Sequence, residues 1–578
     1  MGNKAAVITK KLFLKYCIPL FFICLGASYR LGENLYPVIY GDEFGYWAAG
    51  SFFAGLDWGD VTAINKYYGY GYGLLLAVIL LVFKNVFTAY KAALIINIIM
   101  LAFCYIIVLN LTDCYVKDNG LKVNEAVKTC IAFFVACYPS YFHFAQYTMA
   151  EIPTLLCTWA IMWCMYKYLG KDNGKIYAFL LVLFSTLSFM IHLRNIAMVL
   201  AVLFAMILKK TVRRQKRQAV SVICILILFA AGAVITLFIK RFYISSYYSF
   251  EALRDTSNEF SGGATKLSRV LSVSGIYNSV IGLIGKLYYL FVAGFGVSFL
   301  AFFEGLINIK EIRNKDNTAS LFGFFLSFMT FLYIGMNVVN FTDIEARFDY
   351  LTYGRYFENV IPPLMMTGLI SICAQKISIK KMGIFYGAFL GIPLFTEALQ
   401  NYSLPTTNVF ICCTALSKAL IKNGFKEGTL LTLGIFACIC FTFICFFGRK
   451  KNVVGICIVL ALLSVYEIGI SHYVIDNGEY SWSVSENQSD LELYDYIIKE
   501  GSADNIFYLA EDENRVIDGL QYLLRDHKIK VITDVNGEKN IITYKKSPSV
   551  SKMQKMGYYK VVETRRLIYW EPRNSGSE

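Results

Sequence analysis

Two adjacent carboxylates, Asp42 and Glu43, follow the first long apolar run of this sequence. A carboxylate can take a proton from an acceptor hydroxyl or help to hold a divalent cation. A further acid, Glu151, stands at the start of another apolar run, with Pro153 suited to an early helical position. Acids at a helix N-terminus are also favoured by its free N–H groups, so each position alone is equally consistent with a structural role.

Two polar segments between apolar runs contain arginines. Arg194 lies in the tetrad 192–195 (His-Leu-Arg-Asn), and Arg355 is followed by Tyr356 and then by Pro362-Pro363. An arginine is a natural bidentate partner for a phosphate. A turn with a snorkelling arginine, or an aromatic belt at the membrane interface, would place the same residues there for structural reasons.

The composition is that of a polytopic membrane protein. Of 578 residues, 57% are hydrophobic and only 17% are charged, and the mean hydropathy is +0.51. The net charge of +14 comes from lysines and arginines clustered between apolar runs. This clustering indicates retention on the cytoplasmic side and not binding to nucleic acid. The 16 cysteines lie mostly within apolar runs and lack metal-ligand spacing.

The predicted fold is α-helical, with about 13 transmembrane helices. The first run lacks a small-residue cleavage site and is interpreted as a signal anchor. We predict spans near residues 12–27, 91–110, 126–141, 152–168, 176–191, 195–208, 219–239, 283–304, 319–338, 359–375, 383–398, 428–447 and 452–471.

The short apolar segment 73–87 is predicted to be an interfacial or re-entrant helix in the first external loop. Counting it as a span would move the basic run 209–217 and the later basic clusters outside, against the positive-inside rule. The resulting topology puts the acids and both arginines on the non-cytoplasmic side of the plasma membrane. Residues 1–471 then form the transmembrane domain, and residues 472–578 form a small extracytoplasmic α/β domain.

In their order, these motifs resemble those of the C-type glycosyltransferases, which use polyprenyl-phosphate-linked sugars. These include the protein O-mannosyltransferases and the lipid A aminoarabinose transferases. Asp42-Glu43, followed by Tyr46, is similar to the Asp-Glu pair in that family's first external loop. The segment Tyr67–Leu76 is similar to its interfacial helix, with Gly and Tyr where prolines are usual.

The later motifs extend the resemblance. Glu151 is similar to the family's acid in the second external loop, and Arg355-Tyr356 before Pro362-Pro363 is similar to its Arg-Tyr ahead of a Pro-containing span. The polar C-terminal domain is similar to that of the aminoarabinose branch. The resemblance thus covers residues 10–375 by motif and the whole chain by topology.

The resemblance implies a role for each motif. Asp42 would be the general base or the acid that orients the acceptor, and Glu43 and Glu151 would support it. If a divalent metal ion takes part, Asp42 and Glu151 would hold it. The donor phosphate would be bound by Arg355, Arg194, Lys66 and Tyr356, with His192 as a further candidate. The implied partners are a polyprenyl-phosphate-sugar donor, the lipid bilayer and an envelope glycan, lipid or protein acceptor, with inversion at the anomeric carbon.

Two other functions remain open at this point. A transporter or flippase for lipid-linked glycans would carry charges in mid-span along a path, whereas here the charges gather at one face. An envelope-glycan polymerase or ligase would also use external arginines, but it does not require the early acid pair. A nucleotide-sugar enzyme is disfavoured because the glycines at 69, 71 and 73 lack the strand-to-helix setting of a phosphate loop.

Overall fold

A computed structural model of the chain shows a helical bundle that carries a five-stranded sheet near the C-terminus. The structure describes residues 12–37, 42–61, 68–170, 174–212, 218–248, 268–308, 318–341, 348–376, 379–399, 415–416, 427–477, 490–500, 505–510 and 517–573.

The bundle is built from α-helices that follow one another along the chain. They are α1 (Ile18–Ala27), α2 (Asp42–Phe53), α3 (Gly71–Val82), α4 (Val86–Asp118), α5 (Glu125–Ala136), α6 (Pro139–Ala145), α7 (Glu151–Leu169), α8 (Gly174–Ile191), α9 (Ile196–Val212), α10 (Gln218–Tyr247), α11 (Val273–Ala293), α12 (Val297–Ile307), α13 (Thr318–Asn340), α14 (Ile361–Cys373), α15 (Ile379–Ala398), α16 (Thr429–Arg449) and α17 (Val453–Asn477). Side-chain caps start several of them: Asn85 accepts from the Thr88 N–H at α4, and Asn124 from the Ala126 N–H at α5.

The helices suit a lipid environment. Among the described residues, 7 helices are long and apolar enough to cross a membrane by length and composition: α4, α8, α10, α11, α13, α16 and α17. On α10, large apolar side chains face outward, with Val234 65% exposed and Phe238 72% exposed. Such a surface is stable against lipid and unfavourable in water. The predicted α-helical polytopic fold is therefore confirmed, while the number of about 13 spans stays a prediction.

Two of the predicted spans are not single helices, because each contains a break. The run 283–304 is divided between α11 and α12, where Phe295 and Gly296 have φ angles of 47° and 78°. This left-handed turn is favourable at a glycine and ends the first helix. The run 126–141 is divided where α5 ends and Pro139 opens α6. A proline cannot donate to the helical hydrogen-bond ladder.

Helix α3 corresponds to the segment predicted to lie in the interface. It has 12 residues, which at about 1.5 Å each reach about 18 Å, well short of a hydrocarbon core of about 30 Å. Glycines allow it to approach its neighbours closely. A Cβ on Gly73 would lie 2.6 Å from Ala49 Cβ in α2, and a Cβ on Gly71 would lie 2.8 Å from the Ile191 nitrogen at the end of α8. The glycine repeat therefore serves helix packing.

The C-terminal domain contains strands β1 (Ile506–Leu509), β2 (Ile529–Ile532), β3 (Ile541–Tyr544), β4 (Tyr558–Glu563) and β5 (Leu567–Pro572), with helices α18 (490–499), α19 (Asp518–Leu523) and α20 (Ser549–Lys555). The sheet order is β2-β1-β3-β5-β4, in which β1 pairs in parallel with β2 and β3, and β5 pairs antiparallel with β3 and β4. Its inner face shares one apolar core with α2 and α4. The predicted α/β domain is confirmed, and its boundary at residue 472 stays a prediction.

Candidate functional site

Four charged side chains meet where α2, α7 and the segments before α9 and α14 converge. Arg355 Nη1 lies 2.9 Å from Asp42 Oδ2, and Arg355 Nε lies 2.7 Å from Glu151 Oε1. Arg194 Nη2 lies 3.1 Å from the same Glu151 oxygen. Acids and guanidiniums therefore alternate in one charge-assisted network.

Asp42 is the outermost member of this network. It is the first residue of α2, its side chain is 27% exposed, and that of Arg355 is 13% exposed. The Tyr68 hydroxyl donates to Oδ1 of Asp42, while Arg355 donates to Oδ2. The carboxylate is thus held in place from both sides and still reaches solvent, as a proton acceptor must.

Glu43 points to the other side of α2 and is fully buried. Its Oε1 accepts from the Tyr90 hydroxyl at 2.7 Å, from the Thr148 N–H at 2.7 Å and from the Thr148 hydroxyl at 2.8 Å. Trp47 Nε1 donates to the same Thr148 hydroxyl at 2.8 Å. Glu43 therefore joins α2 to α4 and to the segment ahead of α7, which fixes the start of the helix that carries Asp42.

The charges at the inner end are set by burial and by the guanidiniums. Burial raises the pKa of Glu151, but Arg355 and Arg194 outweigh burial and lower that pKa to about 2. Burial and the charge of Arg194 lower the pKa of His192 well below its usual value. Neutral His192 accepts the Arg194 backbone N–H on Nδ1 at 3.1 Å. At neutral pH, Glu151 is therefore an anion and His192 is uncharged.

Arg194 is positioned by aromatic and amide side chains. Its guanidinium carbon lies 4.9 Å from the centre of the Tyr356 ring, a cation–π distance. The next residue, Asn195, donates to the Thr154 hydroxyl at 3.1 Å and accepts from the Tyr333 hydroxyl at 2.9 Å. These contacts fix the short turn between α8 and α9 and so direct Arg194 towards Glu151.

A small cavity lies beside the network. Glu151, Arg194 and Arg355 line it together with polar residues of α6, α7 and the turn before α14: Ser140, Thr154, Glu358 and Asn359. Among the buried polar atoms of the lining that have no hydrogen-bond partner within the described part of the chain are Glu151 Oε2 and Arg194 Nη1. Buried polar atoms without a hydrogen bond are costly, so the cavity offers both a donor and an acceptor to a polar ligand.

The geometry does not fit a metal ion shared by Asp42 and Glu151. The guanidinium of Arg355 lies between the two carboxylates and bonds to both. A divalent cation bound by both acids would have to displace it and leave a buried arginine unpaired. In the part of the chain that the structure describes, no group of three or more His, Cys, Asp or Glu residues is arranged to hold a metal ion.

The structure brings most of the predicted site residues together. Asp42, Glu151, Arg194 and Arg355 bond to one another, and Tyr356 and His192 lie beside them. Glu43 is held on the other side of α2 by Tyr90 and Thr148. Lys66 lies outside the described residues. The sequence reasoning gave no functional role to Tyr68, Glu358 or Asn359. Glu358 and Asn359 follow the Arg355 motif directly, and that proximity was the signal that could have found them.

The fold matches known structures, although the sequence does not. No family model and no curated protein sequence matches the chain. ArnT from Cupriavidus metallidurans, a lipid A aminoarabinose transferase, is similar in structure at 11% identity. Its apo form aligns with a TM-score of 0.51 over 99% of this chain and 98% of ArnT. Its form bound to undecaprenyl phosphate aligns with a TM-score of 0.54 over 97% of this chain and 98% of ArnT.

A weaker likeness is to the oligosaccharyltransferase AglB of Archaeoglobus fulgidus, in complex with an inhibitory peptide and a dolichol-phosphate. It has a TM-score of 0.37 and 13% identity over 74% of this chain and 56% of AglB. The alignment with ArnT over nearly the full length of both chains confirms the predicted C-type glycosyltransferase fold.

Proposed function

We propose that the chain is a membrane glycosyltransferase that moves a sugar from a polyprenyl-phosphate-linked donor to a cell-envelope acceptor. The observation that carries this proposal is the network of Asp42, Arg355, Glu151 and Arg194 beside a polar cavity, with one buried arginine nitrogen unpaired. The fold shared with ArnT, whose structure binds undecaprenyl phosphate, supports the donor class.

Asp42 acts as the general base in this proposal. It takes the proton of an acceptor hydroxyl, whose oxygen attacks the anomeric carbon of the donor sugar. The bond between that carbon and the phosphate oxygen breaks, and its electron pair leaves with the polyprenyl phosphate. Attack from the side opposite to the leaving phosphate inverts the anomeric centre. Bonds from Tyr68 and Arg355 keep the carboxylate oriented for this step.

Arg194 and Arg355 bind the donor phosphate and stabilise the charge that develops as it leaves. Both guanidiniums are oriented by Glu151 before any ligand arrives, so little reorganisation is needed. The unpaired Nη1 of Arg194 offers a donor that a phosphate oxygen can accept. Tyr356 supports this residue from the ring face. We include Lys66 in the phosphate site on the sequence resemblance alone.

We further propose that the site faces the extracytoplasmic side of the plasma membrane. The support is the distribution of lysines and arginines between the apolar runs. Basic segments such as 209–217 favour the cytoplasmic side, and the count of spans then puts Asp42 on the other side. The C-terminal domain contacts α2 and therefore lies on the same side as Asp42.

The test uses the full-length chain in nanodiscs. Undecaprenyl phosphate and undecaprenol are titrated separately, and we expect the phosphate lipid to bind about tenfold more tightly or better, because charged hydrogen bonds are worth about 1.5–3 kcal/mol. The chain is then supplied with undecaprenyl-phosphate pentoses and hexoses and an envelope extract, and release of undecaprenyl phosphate is measured. Equal affinity for the two lipids, together with no release from any donor, would refute the proposal. Movement of the intact glycolipid without bond cleavage would favour a flippase.

A further inference from the structure

Helix α19 of the C-terminal domain packs directly against α2 through Tyr522. The ring of Tyr522 lies 5.0 Å from that of Trp47 and 6.0 Å from that of Trp58, both in edge-on geometry. Its hydroxyl donates to the Val86 carbonyl at the start of α4, at 2.8 Å. All three rings are fully buried. One tyrosine of the C-terminal domain thus contacts both the helix that begins with Asp42 and the helix that follows α3.

Arg525 binds the end of α3. Its Nη2 donates to the Leu80 carbonyl at 2.8 Å, and its Nη1 donates to the Lys84 carbonyl at 3.0 Å. The last carbonyls of a helix lack intrahelical partners and carry partial negative charge, so a cation is favourable there. The Arg525 carbonyl in turn accepts from Trp58 Nε1 at 2.8 Å. The side chain of Arg525 is only 4% exposed, so these bonds are protected from water.

A chain of buried contacts runs from Tyr522 to the acid pair. Trp47, which packs on Tyr522, donates to the Thr148 hydroxyl, and that hydroxyl donates to Glu43. Tyr90, whose ring lies 6.4 Å from that of Tyr522, donates to the same Glu43 oxygen. Glu43 is adjacent to Asp42 in the first turn of α2. The orientation of that turn therefore depends on groups that Tyr522 packs against.

We propose that the C-terminal domain is a positioning element for Asp42, acting through Tyr522 and Arg525. Helices α2 and α3 have 12 residues each, too few to be anchored by crossing a bilayer, which takes about 20. Their orientation must come from packing, and Tyr522 and Arg525 of the C-terminal domain provide packing contacts. Neither residue lines the cavity. The assignment of Asp42 as the group being positioned rests on the proposed function.

The experiment measures hydrogen exchange of the full-length chain in nanodiscs, on peptides that cover α2. We expect its amides to exchange about tenfold faster or more in Tyr522→Ala and in Arg525→Ala, because local opening becomes easier when buried contacts are lost. Tyr522→Phe keeps the ring and should lie nearer to the wild type. Tyr559→Ala is the matched control, because Tyr559 lies in the same domain, is 40% exposed and bonds to Glu571.

Transfer kinetics provide a second measurement. With Asp42 displaced and the cavity intact, kcat should fall in Tyr522→Ala by about tenfold or more, while the KM for the donor changes little. A Tyr522→Ala chain counts as folded if it keeps its size-exclusion profile and if the amides of α13 stay protected from exchange. If the amides of α2 in such a chain exchange at the wild-type rate, the proposal is overturned. Unchanged kcat in a variant whose α2 has loosened would also overturn it. A wild-type chain without any transfer would refute the proposed function, and the exchange result would still decide whether the domain holds α2.

Discussion

Arg355 Nη1 and Asp42 Oδ2 lie 2.9 Å apart, although the two residues are 313 positions apart in the sequence. The pair joins the first turn of α2 to the segment that leads into α14. Because Arg355 also bonds to Glu151, its guanidinium has one defined orientation between two acids. A largely buried arginine that bridges two carboxylates is sensitive to the loss of either partner.

Asp42→Asn should abolish transfer without unfolding the chain. The amide has the same size as the carboxylate but cannot take a proton, and a general base contributes about 10²–10⁴-fold to the rate. Release of undecaprenyl phosphate from the glycolipid donor measures the loss. Asp534→Asn is the control, since Asp534 is 76% exposed and pairs with Lys552 on the domain surface. Activity of Asp42→Asn within a few-fold of the wild type would contradict the role of base.

Arg355→Lys should weaken binding of undecaprenyl phosphate by about tenfold. The planar guanidinium can donate to two carboxylates and a phosphate at once, and an ammonium group cannot reproduce this geometry. Isothermal titration or microscale thermophoresis with the lipid in nanodiscs measures the affinity. Arg573→Lys changes an exposed arginine of the C-terminal domain in the same way and should have no effect. Equal affinities of the two variants would remove Arg355 from the phosphate site.

The pKa of Glu151 predicts how stability changes in acid. Burial raises this pKa, but Arg355 and Arg194 lower it from 4.5 to about 2 in the folded chain. The ionised carboxylate therefore stabilises the fold above about pH 4.3, and this contribution is lost as the pH falls towards 2. We expect the wild type to have a higher Tm than Glu151→Gln at pH 6, and the difference to shrink between about pH 4.3 and 2. A difference that stays constant over this range would show that Glu151 is not stabilised as an anion.

Gly71→Ala should destabilise the contact between α3 and the end of α8. The added Cβ would lie 2.8 Å from backbone atoms of both Met190 and Ile191, which cannot rotate away. Overpacking of this kind costs about 1–3 kcal/mol. The matched variant is Gly335→Ala in α13, where a Cβ meets nothing within 4 Å and alanine favours the helix by about 0.5–1 kcal/mol. The Tm should therefore fall in Gly71→Ala and rise in Gly335→Ala.

Glu358→Gln should affect the sugar and not the lipid phosphate. Glu358 is buried, lines the cavity and accepts a hydrogen bond from the Tyr289 hydroxyl on Oε1. Glutamine keeps one acceptor oxygen but replaces the other by a donor, so hydrogen bonds to sugar hydroxyls change. Burial raises the pKa of Glu358 to about 8, so at neutral pH the group is mostly uncharged. The KM for the glycosylated donor should rise a few-fold, as expected for one uncharged hydrogen bond of about 0.5–1.5 kcal/mol. Affinity for undecaprenyl phosphate without sugar serves as the internal control. A parallel loss for both lipids would place Glu358 outside a sugar-binding role.

Much of the fold was predictable because lipid restricts the backbone to helices whose length and charge flanks are visible in the sequence. The order of the motifs and the number of spans between them predicted that four charged residues lie on one side of the membrane: Asp42, Glu151, Arg194 and Arg355. The break between α11 and α12 was missed because Gly294-Phe295-Gly296 lies within an apolar run. The two flanking glycines were the available signal.

The different environments of Asp42 and Glu43 could not be predicted from the sequence. Successive helical residues point about 100° apart, so adjacent acids cannot share one environment. Which of them faces the protein depends on Tyr90 and Thr148, which come from other segments. The bridging of Asp42 and Glu151 by Arg355 was hidden for the same reason, since side-chain partners across helices depend on packing that periodicity does not describe.

The contact between Tyr522 and the start of α4 has a consequence for chimaeric proteins. Tyr522 and Val86 are 436 positions apart, yet they bond directly. A C-terminal domain transplanted from a relative would place its own equivalent of α19 against Trp47 and Trp58 of this chain. The side chains of that helix would not be complementary to these two rings. Grafts of this domain should therefore exchange residues 42–90 together with 490–573. Within the described residues, α2, the start of α4 and α19 pack as one unit although they are far apart in the sequence.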